Sequence, residues 1–341
     1  MIERIKKLAD MTAKGEMYIR HTPTEYDRED IFLSPVLMSA KRSKEYILNQ
    51  KPYVSEYTAL TGYLRFQGDV MGDIFNRCGH KNWEGIRDTF YNKPIDGCFT
   101  FEWQHSVADF EKVIKVGING LKNEIEYSRK NHTEKDELEF LDALDIIADA
   151  IIGWANKCAD AALIKAEEVT NPEYKKNLIK LSDSLRNVPA NPAKSFYEAV
   201  LTVYVIYAFV PDSIGTIDRY LYPLYEKDIQ AGILDKEEAK SYLQELFLML
   251  QARIHPDSDR FYRGGESHFC IGGYLENGED GFNELSMLVL ESLLELPTWI
   301  PQISFRWTKK TPIETLRYVM DCERKDKNKR VFNIKMCNRI I

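Results

Sequence analysis

The sequence predicts an α/β fold with a large helical portion. Apolar residues recur at steps of three or four over most of the chain, which is the period of a helix with one buried face. After Gly264 strand-like and helix-like patterns alternate, and this alternation favours a parallel sheet over a helical bundle. Pro189 and Pro192 form a stiff connector, so we expect a mainly helical region over residues 1–190 and an α/β region over 191–341.

The helices are predicted from their apolar period and from the residues that can cap them. Asp109 (or Ser106), Asn171, Ser195 and Asp235 are short polar residues that precede periodic stretches, where they can accept hydrogen bonds from the first turn. The predicted helices cover residues 1–13, 35–49, 109–127, 133–169, 171–188, 195–209, 217–230, 235–253, 280–296 and 311–324.

Extended segments are predicted at two places in the second half of the chain. Residues 267–271 form an apolar run that leads into two glycines, and residues 301–307 alternate between apolar and polar side chains. Residues 53–101 are punctuated by glycine and proline, which is typical of loops and short extended pieces.

Composition excludes several function classes. The chain has 341 residues, 44% of them hydrophobic, and a formal net charge of −7, so a chain-wide nucleic-acid surface is not expected. The longest apolar run, 199–210, is about half of the roughly 20 residues that a membrane helix needs, and the N-terminus has no apolar signal core. We therefore expect a cytoplasmic protein without a membrane partner.

The cysteines and histidines lie apart, without metal-ligand or disulfide spacing.

Five blocks of sequence together point to one family. They read HSVADFEKV (105–113), NVPANPAKSFYEAV (187–200), SIGTIDRYLYPLYEKD (213–228), GILDKEEA (232–239) and IGGYLENGEDGFNELS (271–286). In this order they resemble segments of the glycyl radical enzymes of the pyruvate formate-lyase type. Ile214 and Thr216 replace the proline and arginine of the family's "SPGR", and Arg219 replaces a glutamine. The chain thus resembles a divergent branch of the family. The substrate of any one known branch is therefore not transferred to it.

The resemblance implies both a fold and a chemistry. The fold would be the N-terminal half of a ten-stranded α/β barrel, incomplete at the C-terminus. Full-length members carry an organic glycyl radical, made by an S-adenosylmethionine-dependent radical activase under anaerobic conditions. That radical generates a cysteine thiyl radical, which starts cleavage of a C–C, C–O, C–N or C–S bond in a small polar substrate. A homodimer is also expected from the resemblance.

The two radical carriers of the family have no counterpart in the sequence. Residues 311–316 match the helix that precedes the family's cysteine turn, but neither a "GCVE"-like turn nor an "RVxGY"-like glycine loop occurs. We therefore expect no cofactor in this chain and no turnover by the chain alone. A half-barrel protein that binds a partner without catalysis is the alternative. The segment after Arg324 is rich in basic residues. This pattern favours a truncated or frameshifted gene product over a genuine basic tail that binds an acidic partner.

The resemblance places three residues of this chain in a substrate pocket: His105, Asp109 and Ser213. His105 could donate a hydrogen bond or move a proton near neutral pH, or it could cap the following helix. Asp109 could orient His105 or bind a hydroxyl, although an aspartate at a helix start is common for capping alone. Ser213 could contact substrate or only form a turn. Asp218 is expected in a structural salt bridge or cap, and Cys270 in an apolar interior.

Overall fold

The computed structural model describes residues 1–19, 22, 24–61, 107–210, 213–262, 267–328 and 331–336. The helices are α1 (Glu3–Ala13), α2 (Pro35–Asn49), α3 (Phe110–Arg129), α4 (Lys135–Glu168), α5 (Pro172–Asn187), α6 (Phe196–Phe209), α7 (Ile217–Tyr220), α8 (Tyr222–Gln230), α9 (Lys236–Gln251), α10 (Glu284–Leu294) and α11 (Ile313–Lys325), with 3₁₀ turns at Arg28–Phe32 and Asp259–Tyr262. The strands are β1 (Gly215–Thr216), β2 (Phe269–Gly272), β3 (Ile303–Trp307) and β4 (Val331–Met336). The predicted class, α/β with a large helical portion, is confirmed.

Side-chain caps start the helices where the sequence predicts them. The four capping residues accept hydrogen bonds from first-turn backbone nitrogens: Asp109 from Lys112 at 3.0 Å, Asn171 from Glu173 at 2.9 Å, Ser195 from Glu198 at 3.2 Å and Asp235 from Glu238 at 2.8 Å. Each cap satisfies a backbone donor that the helix itself cannot use. The helix α6, which is apolar on all sides, lies in the interior because it has no polar face to present to water.

The proline connector after α5 packs into a break in α3. Gly117 interrupts this helix with a φ of +67°, a conformation that favours glycine. The backbone nitrogen of Ile118 then donates to the carbonyl oxygen of Pro189 at 2.8 Å, and that of Asn119 donates to Ala190 at 2.9 Å. The backbone groups freed by the break are thereby satisfied by the connector.

The four strands form one parallel sheet in the order β1-β2-β3-β4. Gly215 pairs with Phe269 in the first ladder, and Phe269 pairs with Ile303 in the second. An isolated parallel bridge between Val107 and Ser213 lies beside the start of β1. The strands therefore stand in the sheet in the same order as they occur along the chain.

One face of the sheet is apolar and covered by helices. Its side chains come from alternate positions of β2 and β3 and are fully buried: Phe269, Ile271, Ile303 and Phe305. Phe247 of α9 stacks on Phe269 with ring centroids 5.7 Å apart. A single apolar cluster runs from Ile5 in α1 to Cys322 in α11, so the helical region and the sheet share one core.

A buried ion pair fixes the N-terminal helix against α9. Arg4 of α1 pairs with Oε2 of Glu245, and the other carboxylate oxygen accepts hydrogen bonds of 2.8 Å from the backbone nitrogens of Ala59 and Leu60. Nη1 of Arg4 also donates to the carbonyl oxygen of Tyr57 at 2.9 Å. The pair thus holds three separate parts of the chain together.

The structure departs from the sequence prediction at several elements. Residues 217–230 form two helices rather than one, since α7 ends at Tyr220 and α8 begins at Tyr222. The short strand β1 lies between two predicted helices, and β4 lies in the basic segment after Arg324; no extended segment is predicted at either place. Both strands are defined by pairing with a neighbour, which a local pattern does not reveal. None of the helices within the described ranges combines the length and apolar character that crossing a bilayer demands.

Candidate functional site

The second face of the sheet is polar. Residues in register on neighbouring strands share a face, and successive residues alternate between faces. The register pairs Thr216 with Cys270 and Cys270 with Ser304, and it places Arg306 two positions beyond Ser304. Nε2 of His268 lies 2.7 Å from Oγ of Ser304, which shows that these two side chains meet on this face. The face therefore presents an imidazole, a thiol, hydroxyls and a guanidinium.

This polar face is partly accessible to solvent, unlike the apolar one. Arg306 is exposed, Thr216, His268 and Cys270 are half-buried, and Ser304 is buried. The strand order explains the difference. Crossovers between parallel strands are right-handed, so helices that connect strands arranged in chain order all lie on one side of the sheet. The opposite side of such a sheet is the interior side of a barrel.

Ser213 lies at the amino-terminal edge of this face. Its hydroxyl donates to the carbonyl oxygen of His268 at 2.6 Å and accepts a hydrogen bond of 3.1 Å from the nitrogen of Gly215. The bridge to Val107 brings the chain that follows His105 next to Ser213. His105 itself lies outside the described residues. The structure therefore brings Ser213 close to His268 and gives its hydroxyl a role in the turn.

Asp109 is exposed at the start of α3. Its Oδ1 accepts the hydrogen bond from Lys112 described above, which is the capping role that the sequence offered as an alternative. Only Ala108 separates it from Val107 of the bridge. Asp109 is thus fixed near the edge of the polar face by its own helix.

Asp218 joins the carboxyl ends of β1 and β2. This fully buried carboxylate accepts hydrogen bonds on Oδ2 from the nitrogen of Gly272 at 2.8 Å and from the hydroxyl of Ser286 at 2.5 Å. Burial raises the pKa of Asp218 to about 6, although hydrogen bonds from Ser286 and Gly272 oppose the rise. Among the described residues Asp218 forms no ion pair within 4.0 Å. Its structural role therefore depends on hydrogen bonds from neutral donors and not on the salt bridge that the sequence offered.

Cys270 differs from the expectation of an apolar interior. It is half-buried on the polar face, whereas Cys158 and Cys322 are buried in the core. Burial raises the pKa of the Cys158 thiol, which keeps this side chain protonated and unreactive. Across the ranges that the structure describes, no three His, Cys, Asp or Glu side chains come together as a metal site.

Comparison with known proteins identifies the fold and the family. A profile of the family described as pyruvate formate lyase-like matches residues 63–334. The chain belongs to this family. The match confirms the resemblance to glycyl radical enzymes that the five sequence blocks indicate, and it includes all three predicted pocket residues.

Curated relatives of the family cover a large part of this chain. Isethionate sulfite-lyase of Bilophila wadsworthia is 34% identical over 243 residues, which are 65% of this chain and 28% of that protein. Trans-4-hydroxy-L-proline dehydratase of Clostridioides difficile is 27% identical over 244 residues, or 65% of this chain and 30% of that protein. The chain therefore spans about a third or less of the length of these relatives.

Solved structures show the same fold over almost the whole chain. A Roseburia inulinivorans structure concerned with 1,2-propanediol dehydration superposes with a TM-score of 0.75 at 20% identity, covering 95% of this chain and 49% of that one. A glycyl radical enzyme from Archaeoglobus fulgidus gives a TM-score of 0.73 at 20% identity, with 94% and 50% coverage. The chain has the fold of about half of these barrel proteins.

The site residues that the sequence did not reveal are His268, Ser304 and Arg306. They are brought together by register between strands that are far apart along the chain. The alternation of residues 301–307 is the signal that could have found them, because it predicts a strand with one polar face. Substrate contact by His105, Asp109 and Ser213 stays a prediction.

Proposed function

We propose that this chain forms the N-terminal half of the barrel of a glycyl radical enzyme. The complete enzyme would cleave a C–C, C–O, C–N or C–S bond in a small polar substrate. The observation that carries the proposal is the polar, partly solvent-accessible face of a parallel sheet whose strands stand in chain order. Parallel sheets normally bury apolar side chains on both faces, so a polar and partly accessible face favours a wall that encloses a reaction chamber. We place the start of this wall after residue 190.

The side chains on the wall can bind and orient a polar substrate. His268 and Ser304 form a hydrogen-bonded pair, in which the buried Ser304 orients the half-buried His268 so that the imidazole can bond a substrate hydroxyl or carbonyl group. We propose that His105, Asp109 and Ser213 complete the pocket at the amino-terminal edge. Ser213 is supported by its contact with the backbone of His268. Asp109 is supported by its position just beyond the bridge at Val107.

We propose that the chain alone does not turn over. The organic radical of full-length members resides on a glycine loop, and the 341-residue sequence holds no segment that resembles this loop or the cysteine turn. The residues present do not fit that group, so no radical step is assigned to them. Hydrogen-atom transfer requires reacting atoms at roughly 3–3.5 Å, and good substrate binding cannot replace a missing carrier. The activase, the homodimer and the cytoplasmic location stay predictions.

Complementation tests the proposal. The chain is incubated anaerobically with a radical activase and S-adenosylmethionine, with and without a polypeptide carrying the C-terminal half of an isethionate sulfite-lyase. We expect a glycyl doublet in electron paramagnetic resonance only when the second polypeptide is present. A fragment whose radical glycine is replaced by alanine is the matched control and should give no signal.

Two outcomes would decide against the proposal. A glycyl doublet from the 341-residue chain alone would refute its inactivity. Association of the two polypeptides without any radical or product would favour the alternative, a half-barrel protein that binds a partner without catalysis.

A further inference from the structure

A cavity of about 710 Å³ lies in the helical region, between α2 and the segment that precedes the first 3₁₀ turn. Its walls are formed by Thr24 and Glu25 of that segment, by Lys41, Lys44, Glu45, Leu48 and Asn49 of α2, and by Ile146 of α4. None of these lining residues belongs to the sheet, so the cavity is separate from the polar face. Its volume is within the range of small-molecule sites, roughly 300–1,000 Å³.

The α2 wall of the cavity is fixed against α4. Its residues recur at steps of three or four, which places them on one face of the helix. A Cβ built on Gly153 of α4 would lie 3.0 Å from Cδ2 of Leu48, so the two helices approach closely here. Nζ of Lys157 also donates to the carbonyl oxygen of Leu48 at 2.7 Å. This wall therefore has a defined position.

Hydrogen bonds from the end of α2 fix the opposite wall. The backbone nitrogen of Thr22 donates to Oε1 of Gln50 at 2.7 Å, and Nε2 of Gln50 donates back to the carbonyl oxygen of Thr22 at 2.9 Å. Nδ2 of Asn49 donates to Oγ1 of Thr24 at 3.1 Å. Because the fold itself holds both walls, a ligand that fits need not order them.

The two lysines of the cavity have acidic neighbours of their own. Nζ of Lys41 lies 2.5 Å from Oδ1 of Asp30, which is buried. Nζ of Lys44 lies 3.8 Å from Oδ2 of Asp149 on α4. The positive charge on both side chains is therefore offset at least in part.

The two glutamates of the cavity have no such neighbour. Within the part of the chain that the structure describes, neither Glu45 nor Glu25 has a basic group within 4.0 Å. Partial burial and the negative charge of Asp30 raise the pKa of Glu45, and Lys41 opposes the rise. Glu25 is exposed. The cavity thus contains carboxylates whose charge is not neutralised, which favours a cationic ligand.

We propose that this cavity binds a small primary alkylammonium compound. The carboxylate of Glu45 would accept charge-assisted hydrogen bonds from the ammonium group, and Glu25 would add negative charge. The alkyl chain would lie against Leu48 and Ile146, the two apolar side chains among the lining residues. This inference concerns the helical region and does not rest on the proposed function.

Ligand binding to the 341-residue chain tests the inference. Saturation-transfer difference NMR is recorded during titration with n-butylammonium chloride at constant ionic strength, and the dissociation constant is taken from the saturation curve. Methylammonium lacks the chain that contacts Leu48 and Ile146, so it should bind about fivefold or more weakly. Butyrate, which has a carboxylate in place of the ammonium group, should not saturate. No saturable signal with butylammonium, or equal affinities for butylammonium and methylammonium, would overturn the inference.

Two variants locate the binding site. E45Q should weaken butylammonium binding about fivefold or more, because it removes the charge-assisted acceptor. Glu167 is an exposed glutamate near the other end of α4, and E167Q, which removes the same charge there, should leave the affinity unchanged. Equal affinities of E45Q and the unsubstituted chain would overturn the inference. The comparison of butylammonium with methylammonium uses the unsubstituted chain, so it decides the question even if E45Q failed to fold.

Discussion

Oδ2 of Asp218 lies 2.8 Å from the backbone nitrogen of Gly272, and this bond ties the end of β1 to the end of β2. The same oxygen accepts the hydroxyl of Ser286, whereas Oδ1 is buried without a hydrogen-bond partner in the described part of the chain. The junction therefore holds an ionisable group where a neutral acceptor would suffice. This has a measurable effect on the pH dependence of stability.

The D218N variant should lose a pH dependence that the unsubstituted chain has. The folded-state pKa of about 6 lies above the ordinary value of 3.8, so the contribution of Asp218 is fully present below about pH 4 and is lost as pH rises through 6. The difference between these two pKa values corresponds to about 3 kcal/mol in the free energy of unfolding. Asparagine keeps one oxygen acceptor for Gly272 and Ser286 and has no charge to bury. We expect D218N to gain stability relative to the unsubstituted chain between about pH 4 and pH 8.

Urea unfolding at several pH values measures this effect. The quantity to follow is the difference in free energy of unfolding between D218N and the unsubstituted chain. A difference that stays constant across the range would contradict the buried-carboxylate explanation.

Removing one partner of the Arg4–Glu245 pair should strongly destabilise the chain. E245Q leaves the buried guanidinium of Arg4 without its counter-charge, which typically costs about 3–5 kcal/mol. The double variant R4M/E245Q removes both charges and keeps an oxygen for the nitrogens of Ala59 and Leu60. It should be more stable than E245Q alone in chemical denaturation.

The exposed pair of Lys14 and Asp10 provides the control for that experiment. D10N breaks an ion pair at the surface, where such pairs contribute little, so no measurable change is expected. If E245Q behaved like D10N, the buried pair would not be a structural clamp.

Two glycines with nearly the same φ should differ in their tolerance of alanine. Gly117 has a φ of +67° and a Cβ there would lie 2.5 Å from the carbonyl oxygen of Ala190, whereas Gly232 has a φ of +66° and open space around it. G232A should cost only the left-handed backbone strain, about 1–2 kcal/mol. G117A should cost about 1–3 kcal/mol more, because the connector must move. Equal losses in denaturant midpoint would contradict the close packing of the connector.

Asp109 can be tested for capping and for substrate contact separately. D109A should lower the free energy of unfolding by about 1 kcal/mol, because the nitrogen of Lys112 loses its acceptor. D109S retains a capping oxygen and should restore stability. By the proposed pocket role, D109S should still raise KM in the complemented enzyme. An unchanged KM would leave the cap as the only role of Asp109.

Local features of the fold were predictable from the sequence. Each predicted cap accepts a hydrogen bond from a backbone nitrogen two or three residues away, so a short stretch of sequence is enough to predict it. The caps are Asp109, Asn171, Ser195 and Asp235. The helix predicted over 280–296 begins instead at Glu284. Asp280 is bonded to threonines after β3, and Asn283 makes the cap. The start of this helix thus depends on hydrogen bonds between Asp280 and threonines far along the chain.

The polar face could not be assembled from local patterns. β1 contains only Gly215 and Thr216, and its identity as a strand comes from pairing with β2. β4 (Val331–Met336) lies in a basic segment, and its identity as a strand comes from pairing with β3. The candidate site depends on the register between Cys270 and Ser304, and register is set by tertiary packing.

The strand order has a consequence for biosynthesis. The strands occupy the sheet in the order in which they leave the ribosome, so each nascent strand finds its neighbour already synthesised. The outer edge of β1 is partly occupied by the bridge between Val107 and Ser213, which leaves the side of β4 as the direction of growth. Co-translational folding of this architecture can therefore advance in one direction, with the finished part serving as the template for the next strand.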